Sequence, residues 1–278
     1  MAYEVNGGTL YVVPTPIGNL ADITERALET LKNVNFIAAE DTRVSGKLMS
    51  LYNIQTSFVS YHEHNKAQAG ERIAERLLSG ESCAIVTDAG TPAISDPGED
   101  LVALCRKKGI NVVPLPGASA FVTALSGSGM PSRRFCFEGF LPPDKSERRD
   151  ILDYYKNEKR TVIFYEAPHR VLETAKELYK ALGDRKVCVC REMTKLNEEI
   201  RDFTLSELVT YLEENQPRGE YVLIVGGAKR DEKPFFEDMS VEEHVSFYEN
   251  QGLSRMDAIK SCARDRRVPK NEIYKQLL

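Results

Sequence analysis

The sequence predicts an α/β protein of two tandem α/β domains followed by a small helical appendage. Three observations lead to that reading. Short apolar, β-branched runs alternate with amphipathic stretches over most of the chain, the pattern of βαβ units around a mostly parallel sheet. The alternation reaches a Pro/Gly turn at the end of NVVPLPG and starts again after residues 117–129. Near the end a charged linker, AKRDEKPFFED, leads into a segment with helical spacing only. The expected boundaries are 1–117, 118–230 and 235–278.

In order along the chain, TLYVV reads as the first strand, and PTPIGNL, with two prolines and a glycine, breaks regular structure after it. Asp22 and Glu25 are spaced as a capping box for the helix DITERALETLKN, in which Ile23, Ala27, Leu28 and Leu31 recur on one face. FIAAE, SFVSY and CAIVT read as strands, with helices around 42–52 and 66–79 between them; NVVPL is a further strand ending in a Pro/Gly turn. The second series gives FCFEGF, TVIFYE, KVCVCRE and EYVLIVGG as strands, and helices around 146–156, 169–181 and 205–215. In the last segment Leu253, Met256, Ile259 and Cys262, then Val268, Ile273 and Leu277, suggest a helix–turn–helix.

Composition narrows the class. Hydrophobic residues make up 42% and charged residues 28%, ordinary values for a globular protein. The first residues show no basic and apolar export signal, and no apolar run approaches the length of a bilayer span, so a cytoplasmic protein is expected, without membrane association. The six cysteines include no C-x-x-C pair; Cys188 and Cys190 sit in VCVCR, which reads as a buried strand rather than a metal or disulfide site. A net charge of −5 argues against binding nucleic acid by bulk charge. From Gln251 onward, however, seven Lys/Arg stand against three acids, a local +4 on a remainder near −9. That basic end suits either a polyanion or the solvated face of a helical tail.

Three strands of the first series are followed by loops rich in Gly, Pro, Ser and Thr: Thr15–Asn19, Asp88–Gly98 and Pro116–Ala120. In open parallel sheets ligands bind beyond the carboxyl ends of strands, and small residues let backbone groups approach them. One such loop is ordinary; three in one domain point to a ligand site. No G-x-G-x-x-G follows the first strand and no G-x-x-x-x-G-K-[ST] occurs, which disfavours dinucleotide binding and P-loop phosphate transfer.

The ordered blocks VPTPIGNLADIT, AAEDTR, SYHEHN, TDAGTPAISDPG, PLPGASA, YEAPHR, CREMTK and GEYVLIVGG closely resemble the bacterial 16S rRNA cytidine 2′-O-ribose methyltransferases, members of the tetrapyrrole-methylase fold family. The resemblance runs from about Thr9 to Gly227. It implies S-adenosylmethionine held in a cleft between the two α/β domains, a homodimer, no metal, and 16S rRNA or the small ribosomal subunit as partner. By motif position it implies cofactor contacts at Pro16, Ile17, Gly90, Thr91, Pro92, Ile94, Ser119 and Ala120, and from the second domain at Tyr165, Glu166, Ala167, Thr194, Glu220 and Tyr221.

A ribose hydroxyl is a poor nucleophile while protonated, so a general base would assist by about 10²–10⁴-fold. Candidates are Glu40 and Asp41, at the carboxyl end of a strand, and His169 of YEAPHR; Asp41 equally suits a helix N-cap. Arg43, His64 and Arg170, the cluster Lys145, Arg148 and Arg149, and Arg264, Arg266 and Arg267 of the basic end are the candidate RNA contacts. The latter two groups also fit solvated helix faces. Tyr61 and Phe140 carry rings that could stack on an unpaired base, but core packing is the simpler reading of both. The competing functions are a methyltransferase of the same fold acting on a tetrapyrrole or protein, and a non-catalytic adenosine-ligand-binding ribosome factor. The cofactor loops are common to all of these.

Overall fold

Strand composition sorts the first sheet into centre and edge. In the computed structural model, which describes residues 4–228, 235–266 and 268–277, β1 (Thr9–Val12), β2 (Phe36–Ala39) and β4 (Cys83–Val86) are buried along their whole length. β3 (Ser57–Ser60) and β5 (Asn111–Pro114) begin and end on exposed residues. The sheet order is β3-β2-β4-β1-β5, all parallel, so the fully apolar strands occupy the middle, as a sheet covered on both faces requires. One face packs Leu10, Phe36 and Ile85 against α3 (Lys66–Leu78) and α4 (Gly98–Lys107). The other packs Tyr11, Ile37 and Val86 against α1 (Glu25–Asn33) and α2 (Thr42–Leu51). Helix α1 starts later than its sequence suggests, because Thr24 rather than Asp22 caps it, its side chain accepting from the Ala27 N–H at 3.1 Å.

The second sheet departs from the expected parallel arrangement. Its order is β6-β7-β10-β8-β9, from β6 (Phe135–Phe140), β7 (Thr161–Glu166), β8 (Lys186–Arg191), β9 (Glu199–Thr204) and β10 (Tyr221–Val225). Only β6 and β7 run parallel; β10 is antiparallel to β7 and β8, and β9 is antiparallel to β8. The loop 192–198 between β8 and β9 is too short for a parallel crossover, which needs about a dozen residues, so that pair had to be antiparallel. β9 itself, EIRDFT, escapes a sequence reading because its outward residues are charged. α6 (Lys145–Tyr155), α7 (Val171–Leu182) and α8 (Leu205–Glu214) cover one face. On the other face α5 (Ala120–Gly127) lays Ala124 and Leu125 on Ile163, Cys188, Cys190 and Val222, and Ile17 from the loop after β1 joins that core. VCVCR is thus a buried strand, as its composition suggests.

Residues 235–266 and 268–277 form a separate helical unit of α9 (Val241–Asn250), α10 (Arg255–Arg266) and α11 (Lys270–Gln276) around Val245, Ile259, Cys262 and Ile273. Ile259, Cys262 and Ile273 face its core as their spacing implied, whereas Met256 points to solvent. Ser240 and Glu243 form a capping box on α9, a helix absent from the sequence reading because its apolar stripe is narrow. Among the described residues no helix is long and apolar enough to cross a membrane.

Candidate active site

The three small-residue loops converge because hydrogen bonds tie them to one another. Thr15 and Gly90 exchange backbone bonds, Thr15 N–H to Gly90 O at 2.9 Å and Gly90 N–H to Thr15 O at 3.2 Å. The Thr15 hydroxyl donates to Thr87 O, and the Thr91 hydroxyl donates to Ala118 O at 2.8 Å, which ties in the third loop. The middle loop is the strained one. Ala93 and Ser95 both hold positive φ, 65° and 60°, a conformation that side chains other than Gly adopt at a cost. Asp96 holds that shape: one carboxylate oxygen accepts from the Ala93 N–H at 3.0 Å and the Gly98 N–H at 2.7 Å. From the second sheet, Tyr165 closes the arrangement, its hydroxyl accepting from the Phe121 N–H at 2.9 Å. Burial pushes the Tyr165 phenol above its usual range and keeps it neutral.

These elements enclose a cleft of about 460 Å³, within the span of small-molecule cofactor sites. Its charged side chains are acidic: Asp88, Asp96, Glu166 and Glu220 line it and, among the described residues, no Lys or Arg does, although Lys195 pairs with Glu220 at 3.0 Å from outside the lining and Arg170 stands beside Glu166. Burial, first of all, raises Asp88 and Asp96 above the ordinary carboxylate range. Glu166 is fully buried and satisfied, accepting from the Thr174 hydroxyl at 2.6 Å and the Ala167 N–H at 2.9 Å. Such a lining favours a cationic ligand and repels polyphosphates.

Residues 9–209 match the family described as Tetrapyrrole (Corrin/Porphyrin) Methylases, which is most of the chain. The chain belongs to this methylase family. Two relatives named Ribosomal RNA small subunit methyltransferase I are similar along nearly their full length. That of Bacillus subtilis is 48% identical over 271 residues, 96% of this chain and 93% of the relative. That of Halalkalibacterium halodurans is 49% identical over 270 residues, with the same coverage of 96% and 93%. Among solved structures, uroporphyrin-III C-methyl transferase from Thermus thermophilus, in complex with S-adenyl homocysteine, superposes with a TM-score of 0.56 at 18% identity, covering 78% of this chain and 97% of that one. That likeness is one of fold.

In the methylase, Ile17, Gly90, Thr91, Ile94, Ser119 and Ala120 line the cleft from the first three loops. Tyr165, Glu166, Ala167, Glu220 and Tyr221 line it from the second sheet. Pro16 and Pro92 are buried behind the lining rather than on it. Thr194 also lies off it: its hydroxyl accepts from the Asn19 N–H at 3.0 Å, bracing the first loop from a residue that itself holds φ at 65°. The sequence did not single out Thr87, Asp88, Ser95, Asp96 or Met193 as contacts, although three of them fall in the ligand loop Asp88–Gly98, and it offered Phe140 as a stacking ring with core packing preferred. The first four lie inside the TDAGTPAISDPG block, whose turns carry them into the cleft, whereas Phe140 was read as core.

Of the candidate bases, Glu40 is exposed at the carboxyl end of β2 near Asp88, Asp96 and His62; partial desolvation, then those two acids, raises its carboxyl against the opposing pull of Thr87 and His62. Asp41 is corrected to a cap: it accepts from the Arg43 N–H at 2.8 Å and grips the same arginine's guanidinium, which holds its carboxyl far below the usual range. An acid held that low is a poor proton acceptor. His169 is exposed on the turn before α7 and lies outside the cleft lining.

Among the proposed RNA contacts, Arg43 is 88% exposed, and His64, Lys145 and Arg149 face solvent, as does Arg264 beside Asp265. Three others are corrected to internal braces. The Arg148 side chain is 7% exposed, its guanidinium bonded to Thr174 at 3.2 Å and paired with Glu177. It occupies the inward face of α6, where Arg149 points out. Arg170 donates to Leu141 O at 2.7 Å and stands 3.5 Å from the Glu166 carboxylate. Arg266 donates to His244 and to the carbonyls of Met239 and Ser240, closing the helical unit. Arg267 lies outside the described residues.

Arg148→Ala is therefore expected to cost about 2–3 kcal/mol, the loss of charged hydrogen bonds at a buried site. That should lower the melting temperature by roughly 5–10 °C. Calorimetry of this variant reads the shift; an unchanged melting temperature with weakened RNA binding would restore the surface-contact reading.

Proposed function

We propose that this chain transfers the methyl group of S-adenosylmethionine to the 2′-hydroxyl of a cytidine in the decoding region of 16S ribosomal RNA. The observation that carries this reading is near-half identity over 96% of the chain to proteins named for methylation of the small-subunit RNA. The acidic cleft supports the cofactor: bound there, S-adenosylmethionine supplies a methyl group already activated on a positively charged sulfur. Asp88 and Asp96 provide the matching negative field, since Arg170 stands by Glu166 and Lys195 pairs with Glu220; that field weakens for a product without the positive charge. Ile17, Ile94, Met193 and Val222 supply the apolar wall that excludes water. Glu40, outside the lining but beside it, takes the proton of the ribose hydroxyl. Arg43, His64, Lys145, Arg149 and Arg264 present exposed basic groups to the RNA backbone. In this reading the partner is 16S rRNA or the small subunit, and the enzyme works in the cytoplasm as a homodimer, whose mass light scattering reads directly.

The test is transfer of radiolabelled methyl to small subunits that lack 2′-O-methylation, with the product mapped by resistance to alkali. Label at one cytidine ribose is the expected result. Measurable cofactor binding with no label on subunits or naked rRNA would overturn the RNA assignment and direct attention to tetrapyrrole and protein acceptors.

A further inference from the structure

Strand β6 carries an irregularity that decides where one aromatic side chain points. It pairs in parallel with β7, Phe135 with Thr161, Cys136 with Val162 and Phe137 with Ile163, and then shifts: Gly139 stands opposite Phe164 and Phe140 opposite Tyr165. One extra residue, Glu138, has been inserted on β6. Because side chains alternate, an unbroken strand would put Phe140 on the same face as Cys136 and Glu138, under α6 and α7. Cys136 does pack there, and the Glu138 carboxylate accepts from the Tyr155 hydroxyl on that side. The bulge returns Phe140 to the opposite face, beside Tyr165, with ring centroids 5.4 Å apart.

That geometry has a backbone cost. Gly139 sits at φ 76°, a conformation strained for any side chain, and an added Cβ would also force Ser95 Oγ, 2.6 Å away, to move, so glycine is favoured where β6 meets the strained middle loop. The result is a phenyl ring that lines the cleft yet is 53% exposed. Tyr61, the other ring that sequence singled out, is 2% exposed and belongs to the core. Bulges beside active sites commonly re-aim a side chain toward the chemistry. An exposed flat ring at the rim of a cofactor cleft suits stacking against an unpaired nucleobase, which presents a π-face of matching size. Ile94, also exposed, adds an apolar group to the lining of the same cleft. Just downstream, Lys145 and Arg149 lie one helical turn apart on α6, both exposed, where they can hold phosphates flanking that base.

We propose that Phe140 is the stacking platform for the target base, taking it out of the RNA so that its ribose reaches the cleft. The inference rests on the RNA reading above. Phe140→Ala is expected to raise KM for undermethylated small subunits by roughly 5- to 150-fold, the range of a lost base–aromatic stack. Affinity for S-adenosylhomocysteine, followed by calorimetry, should hold within about twofold, the scatter of a contact left unchanged. Phe140→Tyr should rescue KM, since it keeps the flat ring, and Phe140→Leu should not. Phe140→Trp adds a direct signal: the chain has no other tryptophan, so quenching of its emission on adding the same subunits reports stacking. An unchanged KM for Phe140→Ala, or equal losses in KM and S-adenosylhomocysteine affinity, would overturn the proposal; the second outcome would make Phe140 a wall of the cofactor site. Wild-type enzyme is run alongside: if it too fails to label the subunits, the RNA reading has failed rather than the role of Phe140.

Discussion

Glu40→Gln is expected to lower the turnover of methyl transfer by about 10²–10⁴-fold, the contribution of a positioned general base. Glutamine keeps the size and the hydrogen-bonding carbonyl but cannot accept a proton, so cofactor affinity measured by calorimetry should change little. The pH profile separates a base from a positioning group. Partial desolvation, then Asp88 and Asp96, raises the Glu40 carboxyl, so activity should climb as pH rises through that raised value and level off above it. The variant should lose that limb of the profile. Stability should move the other way. A carboxyl whose pKa is raised on folding binds its proton more tightly in the folded state; the stability this gives is present at low pH and lost as pH rises through the folded value. At neutral pH the ionised Glu40 therefore opposes folding, and Glu40→Gln should melt no lower than wild type. Turnover within about threefold of wild type, less than the smallest effect expected of a base, would remove Glu40 from the chemistry.

The contrast between Glu40 and Asp41 shows what a sequence can and cannot carry. Both acids end an apolar strand and precede a helix, and by pattern they are interchangeable. Which of them caps α2 and which stays near the acids of the cleft depends on rotamers and on Arg43, and neither is a property of spacing. The same limit explains Arg148 and Arg149: adjacent cations read as one patch, yet a helix turns about 100° per residue, so one is buried and the other solvated. Some periodic and compositional signals held, although Met256, at helical spacing, points to solvent. The central strands of the first sheet were legible because they are apolar throughout, and the loops that form the cleft because small residues cluster at strand ends. Strand direction in the second sheet was not legible, since apolar composition is the same for a parallel and an antiparallel buried strand. Phe140 was lost for a similar reason. A phenylalanine in FCFEGF reads as core, and only the bulge at Glu138 turns it outward.

The middle loop gives the second large effect. Asp96→Ala removes the acceptor that holds the Ala93 and Gly98 N–H groups, in a loop where Ala93 and Ser95 are already in costly conformations. Each such residue stores about 1–3 kcal/mol, retained only while the surroundings impose it. With the clamp gone the loop should relax, displacing Ile94 and Ser95 from the cleft wall and loosening the contact with Gly139. Misplacement of about 1 Å can cost 10²-fold in rate, so a loss of about that size in kcat/KM is expected, with cofactor affinity falling in parallel. Asp96→Asn distinguishes clamp from charge. Its amide oxygen can still accept both bonds, so the loop and the affinity for the uncharged product S-adenosylhomocysteine should be largely kept, while the negative charge beside Glu40 and in the cleft is lost and affinity for the cationic S-adenosylmethionine falls. Since Asp96 is one of the two acids that raise the Glu40 carboxyl, its neutralisation should move the acidic limb of the activity profile to lower pH. If Asp96→Asn were as damaging as Asp96→Ala, the charge rather than the clamp would be what the cleft requires. If the limb stayed in place, Glu40 would not be the group that titrates.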